Sequence, residues 1–289
     1  MANPTKARDE FLEVNDLRLH YREWGDTRSR HALVLLHGYA ATAEIWTEVA
    51  VDLAREFRVI AIDQRGYGQS ARADDMDYTR ASQLEDLEGV IDAIGLRSIT
   101  LVGHSMGGAN AICYAAEHPE IVSALVVVEA APEVLRSGVE GLRRLLTAGE
   151  SWGSMEEAVD AFRSLMPEAS ADQLERRVRG AITQSEDGHW TWDFDEAFRD
   201  PSIRPPEPDP GQRRLADLWD SADRIQCPTM IVRGQDTEML TPEAIQRLHR
   251  RIAGSRVSLI EDAGHNVPSD QPSSLALNIR EFLQSIAAI

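Results

Sequence analysis

The sequence predicts an α/β fold, a mainly parallel sheet with helices on both faces, and three observations predict it. Short continuous apolar runs of strand length alternate with helix-length segments through residues 31–131 and again through 228–289, the pattern of crossover-linked strands buried on both faces. One of those runs, Ile99 to Val102, leads through Gly103-His104-Ser105-Met106-Gly107 straight into the helix-like stretch Ala109 to Glu117. From about Val134 to Asp223 the alternation stops: no strand-like run occurs, helical segments are short, and prolines cluster at Pro201, Pro205, Pro206, Pro208 and Pro210. We read the chain as a core, residues 1–133 and 224–289, with a helical lid inserted at 134–223.

The elements follow in order. Phe11 to Val14 and Leu17 to Glu23 alternate apolar and polar residues around Asn15-Asp16, which predicts a β-hairpin. Ala32 to Leu36 is a buried strand ending in His37-Gly38-Tyr39, and a helix rich in alanine and glutamate follows from about Ile45 to Glu56. Arg58 to Ile62 is the next strand, closed by Asp63-Gln64-Arg65-Gly66-Tyr67-Gly68-Gln69-Ser70. Ser82 to Ile94 places Leu84, Leu87, Val90, Ile91 and Ile94 on one helical face. After the Ser105 turn, Ser123 to Val128 is a strand running into Glu129-Ala130-Ala131-Pro132. Beyond the insertion come a strand at Pro228 to Arg233, a helix at Pro242 to Ile252, a strand at Arg256 to Ile260 and a closing helix at Ser274 to Ile289.

The Ser105 turn carries the chemistry. A serine between strand and helix needs a positive φ, and its neighbours at 103 and 107 must lack a Cβ for strand and helix to crowd together. Its hydroxyl then stands at the carboxyl end of the sheet, beside unpaired helix amides at the positive end of the dipole. Serine alone is a weak nucleophile and needs a base, itself oriented by a buried acid. His265 is the candidate base: it lies in a turn just past a buried strand, follows Gly264, and fits the chain order serine, acid, histidine. His20, His31, His118, His189 and His249 read as hairpin, turn, helix-end or surface residues. A developing oxyanion needs two amides, which we assign to Met106 and, just past the first central strand, Tyr39. No His-Glu-x-x-His or paired Cys/His spacing occurs, so no metal is expected, and the chemistry calls for no cofactor.

A formal charge of -18 argues against nucleic acid and anionic membrane surfaces as partners and leaves a small-molecule substrate. No apolar run approaches transmembrane length. Cys113 and Cys227 make no disulfide framework, and the first ten residues contain no apolar signal core, so a cytoplasmic enzyme is expected.

With His37-Gly38, Asp63-x-Arg65-Gly66-x-Gly68-x-Ser70, Gly103-His104-Ser105-Met106-Gly107-Gly108 and Gly264-His265 in view, the chain resembles the α/β-hydrolase fold superfamily, in its lidded single-domain group. The resemblance implies an eight-stranded, mostly parallel sheet with one antiparallel strand near the start, and a serine triad. Haloalkane dehalogenases and epoxide hydrolases of that fold carry aspartate where Ser105 stands. Carbon–carbon bond hydrolases often have asparagine before the nucleophile and tryptophan after the histidine, where this chain has His104 and Asn266. Proline iminopeptidases favour tryptophan in the place of Met106.

The resemblance leaves two candidates for the acid. Most relatives place it after the seventh strand, in a Gly-x-x-Asp loop. Here that loop is Gly234-Gln235-Asp236-Thr237-Glu238, with threonine in the expected place and Asp236 one residue early. Other relatives place it after the sixth strand, where Glu129 ends an apolar run, a poor home for an unpaired carboxylate. Glu129 and Asp236 both stand as candidates, Glu129 first. In the insertion, Trp152, Trp190 and Trp192 are candidates to roof the site, which favours a hydrophobic acyl or alcohol group in the substrate. The expected activity is hydrolysis of a carboxylic ester or lactone. Alternatives on the same scaffold are a cofactor-free perhydrolase or haloperoxidase, a carbon–carbon bond hydrolase, and a ligand receptor.

Overall fold

Val, Ile and Leu runs with helices between them pair as parallel strands because each run can bury both its faces. The computed structural model describes residues 5–147, 149–199 and 210–287. Its elements are β1 (Arg8–Val14), β2 (Leu17–Trp24), β3 (His31–Leu36), α1 (Thr47–Leu53), β4 (Val59–Ile62), α2 (Arg80–Ile94), β5 (Ser98–His104), α3 (Met106–Glu117) and β6 (Val122–Val128). The segment that interrupts the alternation carries α4 (Arg136–Leu146), β7 (Ser151–Trp152), α5 (Met155–Leu165), α6 (Ala171–Arg179), β8 (Ile182–Gln184) and β9 (Trp190–Trp192). Then follow α7 (Pro210–Arg224), β10 (Thr229–Gly234), α8 (Pro242–Arg251), β11 (Arg256–Ile260), α9 (Val267–Asp270) and α10 (Pro272–Ala287).

Eight strands form one sheet in the order β1-β2-β4-β3-β5-β6-β10-β11. β2 runs antiparallel to both its neighbours, and every other pairing is parallel. The hairpin turns through Asn15 and Asp16, both at positive φ, as a two-residue loop requires. Alternation along each strand divides the core between the two faces. In β3, Ala32, Val34 and Leu36 pack with α2, α3, α7 and α8 residues, while Leu33 and Leu35 pack with α1 and α10 residues. Local signals set the helix ends. Thr79 accepts the Ser82 N–H at the start of α2, and Gly95 closes it at φ 76°.

The insertion differs from its sequence reading in two respects. It contains strands: β7, β9 and β8 form a small antiparallel sheet. At two or three residues each, they are shorter than the runs from which a strand can be read. The core also begins before residue 224, because Leu218 and Ala222 of α7 are buried in the cluster that covers α3. Pro201, Pro205, Pro206 and Pro208 lie outside the described residues, as do the last two of the closing helix; Pro210 opens α7.

Candidate active site

Every candidate residue of the core stands just past the carboxyl end of a strand, which is where open α/β sheets place their sites. β5 and β6 are adjacent and in register, His104 opposite Val128, so the next residues, Ser105 and Glu129, emerge side by side. Both have left-handed backbones, Ser105 at φ 53° and Glu129 at φ 51°. Such strain persists only where the surroundings over-determine it. Around Ser105 they do: the amide of Ser105 donates to the Val128 carbonyl at 2.9 Å. A Cβ on Gly103 would lie 2.2 Å from the Gly107 carbonyl oxygen, and one on Gly107 would lie 2.5 Å from that of Leu36. Strand and helix close on each other because neither glycine has a side chain.

His265, on the loop after β11, lies between the two strained residues. Its Nε2 is 3.0 Å from Ser105 Oγ and its Nδ1 is 3.1 Å from Glu129 Oε2. A carboxylate only accepts, so Nδ1 carries the proton and Nε2 presents a lone pair to the serine hydroxyl. Glu129 is 1% exposed and its charge is met from three sides. The Gly234 amide donates to Oε1 at 2.8 Å, the Thr237 hydroxyl to Oε2 at 2.6 Å, and His265 completes the set. A buried carboxylate with three donors is a satisfied one.

Asp236 is corrected by this arrangement. It is exposed, its amide donates to the Ala263 carbonyl at 2.9 Å, and its neighbour Thr237 is the one that turns inward. Sequence reasoning passed over Thr237 as a mere gap in the family pattern. The signal was there: a hydroxyl in the acid's usual place can donate to a carboxylate arriving from the neighbouring strand.

His104 and His37 hold the loops around this chain. His104 Nε2 donates to the His265 carbonyl at 2.8 Å, while its buried Nδ1 has no partner among the described residues. Burial, with His265 close by, pushes His104 down to about 3, so it works as a neutral donor. His37 is lowered by burial too. Its Nδ1 donates to the Gly38 carbonyl at 2.8 Å and its Nε2 accepts the Gln64 amide at 3.0 Å, which shapes the turn leading to Tyr39. Asn110 ties Gln64 to Gln83 behind that turn. Asp63, Arg65 and Ser70 brace the next loop, with Arg65 on Asp86 at 2.6 and 2.8 Å and Ser70 Oγ on the Asp63 carbonyl at 2.6 Å.

Tyr39 and Met106 are partly buried against the apolar cluster of the insertion. The Tyr39 hydroxyl donates to the Phe198 carbonyl, and its ring meets those of Tyr67, Phe194 and Phe198. Trp152 and Trp192 are corrected from site roof to insertion core. Their rings lie 5.4 Å apart, flanked by Phe162 and Phe194, and both are buried there. Trp190 lines a polar cavity of about 490 Å³ with His20, Asp63 and Asp193, whose walls include neither Ser105 nor His265. Among the described residues no helix is long and apolar enough to cross a membrane.

The sheet order, the serine turn and the helices on both faces define an α/β-hydrolase architecture. Residues 31–272 match the family model for the alpha/beta hydrolase fold, and the chain belongs to that family. It is 30% identical over 271 residues to an esterase of Mycobacterium tuberculosis, covering 91% of this chain and 85% of the esterase. It is 27% identical over 285 residues to 2-hydroxy-6-oxo-6-(2'-aminophenyl)hexa-2,4-dienoic acid hydrolase of Metapseudomonas resinovorans, covering 97% and 92%. Among solved structures it is similar to an alpha/beta hydrolase from Novosphingobium aromaticivorans, with a TM-score of 0.84, 26% identity and 96% and 98% of the two chains covered.

Proposed function

We propose that this chain is a serine hydrolase of carboxylic esters or lactones, acting through an acyl-enzyme. The observation that carries the reading is the hydrogen-bonded series Ser105–His265–Glu129 at the carboxyl edge of the sheet. In this reading Ser105 Oγ attacks the substrate carbonyl and its proton passes to His265 Nε2. Glu129 steadies the imidazolium so formed. The oxyanion takes the amides of Met106 and Tyr39. As the carbon–oxygen bond breaks, His265 returns its proton to the leaving alkoxide. Water then attacks the acyl-enzyme with His265 again as base, releasing the acid and restoring Ser105. The insertion ahead of α7 acts as a cap, and the aromatic side chains that meet Tyr39 and Met106 favour an apolar acyl or alcohol part.

The esterase among the relatives supports an ester substrate. The dienoic acid hydrolase keeps cleavage of a carbon–carbon bond as the competing reading; His104 and Asn266 stand where that group often has asparagine and tryptophan. A nitrophenyl ester with stopped-flow detection tests the proposal. We expect a burst of nitrophenol equal to the enzyme concentration, and loss of all but about 10⁻³ of turnover in Ser105→Ala with the thermal midpoint retained. Activity above a few per cent in a folded Ser105→Ala protein would remove Ser105 as nucleophile.

A further inference from the structure

The loop that carries His265 is fastened to the insertion through one buried carboxylate. Asp270, at the end of α9, has a side chain 1% exposed. One of its oxygens accepts the Gly264 amide at 2.9 Å, immediately before His265. Arg177 of α6 closes on the same carboxylate with two nitrogens, at 3.0 and 2.6 Å to Oδ1 and 2.8 Å to Oδ2. The neighbouring Arg176 donates to the Ser269 carbonyl at 2.6 Å, so α6 grips α9 at consecutive residues. On the other side of His265, its own carbonyl is held by His104. The backbone is thus held on both sides of the base, at the His265 carbonyl by His104 from the core and at the Gly264 amide by Asp270, whose charge is balanced from the insertion.

We infer that Arg177 is a positioning residue for His265, coupling the seating of the insertion to the alignment of the base with Ser105 and Glu129. The physical reason is the cost of an unpaired buried carboxylate. Without Arg177, Asp270 has the Gly264 amide and no counter-ion, so the carboxylate turns toward water, and that movement releases the Gly264 amide next to the base. A small displacement there matters, because the rate depends steeply on the position of reacting groups. Arg177 itself touches no reacting atom.

The inference rests on the proposed Ser105–His265–Glu129 chain, and two readouts keep the two apart. The first is the downfield proton signal of His265 Nδ1–H against Glu129, which needs no substrate and is identified by its loss in Glu129→Gln. The second is the rate of Ser105 phosphonylation by a fluorophosphonate, taken per folded molecule with thermal midpoints measured alongside. We expect Arg177→Met to shift or abolish the downfield proton and to slow labelling about tenfold or more. Asp270→Asn, which keeps an acceptor for Gly264 but loses the charge, should be affected less, and the Arg177→Met/Asp270→Asn pair should be no worse than Arg177→Met alone. Arg177→Lys restores the charge without the fork and should lie between; it carries the same test if Arg177→Met does not fold. A folded Arg177→Met protein with an unshifted proton and wild-type labelling overturns the inference. A wild-type protein that resists the fluorophosphonate overturns the proposed function instead, and the proton signal then decides the positioning role by itself.

Discussion

Glu129 shows how one residue's surroundings turn an improbable position into a usable one. A carboxylate at the end of the run Leu125 to Val128 would be prohibitively unsolvated there were it not met by donors. Gly234 and Thr237 are those donors, and both come from the loop where relatives of this fold commonly keep the acid itself. The side chain reaches sideways from β6, past the end of β10, to His265. We expect Glu129→Gln to lower kcat at least about 10²-fold with KM nearly unchanged, since the amide no longer fixes the tautomer or steadies the imidazolium. Asp236→Asn should cost less than about tenfold, as befits an exposed loop residue. Thr237→Val, which deletes one hydrogen bond to a charged group, should fall between them; kcat for the three variants on one ester checks the order. His104 yields a pH prediction of its own. Because burial holds it near 3, it is uncharged at any pH used for assay, and an acid limb in kcat/KM belongs to the base. We expect His104→Gln, which can still donate to the His265 carbonyl, to keep that limb; its disappearance would reassign the base.

At the scale of elements, the residues just past β9 meet the loop after β4, where Gly68 donates to the Asp193 carbonyl at 2.8 Å, and one carboxylate there makes that contact sensitive to pH. Asp193 follows Trp192 and lines the polar cavity beside Asp63 and His20. Burial, and then the charge of Asp63, push it up to about 6 from 3.8. The native protein therefore holds this proton up to about pH 6, whereas the unfolded chain releases it near 3.8. Between those values the native state binds more protons, so this group's contribution to stability declines as pH rises through that window and is level above it. Asp193→Asn removes the decline. We expect its denaturation midpoint to match wild type near pH 4 and to exceed it at pH 7, and equal midpoints at both would remove the effect. The strands of the insertion were beyond the reach of pattern, since Trp190-Thr191-Trp192 alternates for too few residues to register. The core strands were legible because short apolar runs, clearest at Ala32 to Leu36 and Ala124 to Val128, are bounded by turn signals. Ser105 was legible because its strained turn demands glycine on both sides, and His265 because it follows Gly264 in a turn just past an apolar strand. Thr237 and Arg177 were not, because their significance lies in which distant element they meet.

For the whole molecule, the charge of -18 sets the long-range field in which a substrate arrives. Like charges are repelled over a distance set by the Debye length, about 30 Å at 0.01 M ionic strength and about 3 Å at 1 M. Beside the Ser105–His265–Glu129 series, Arg177 is engaged at short range by Asp270, at 2.6 Å. The local charge therefore does not offset the global one. For an anionic ester, kcat/KM should rise as salt is added and the repulsion is screened. For a cationic ester of the same acyl chain it should fall, and for a neutral one it should change little. The neutral ester serves as the control for salt effects on folding or on the acyl pocket. Measuring the three together across that range of ionic strength decides the sign. A decrease for the anionic ester would mean that a local positive potential at the site outweighs the net charge, and Arg177→Met would then be the variant in which that decrease should vanish.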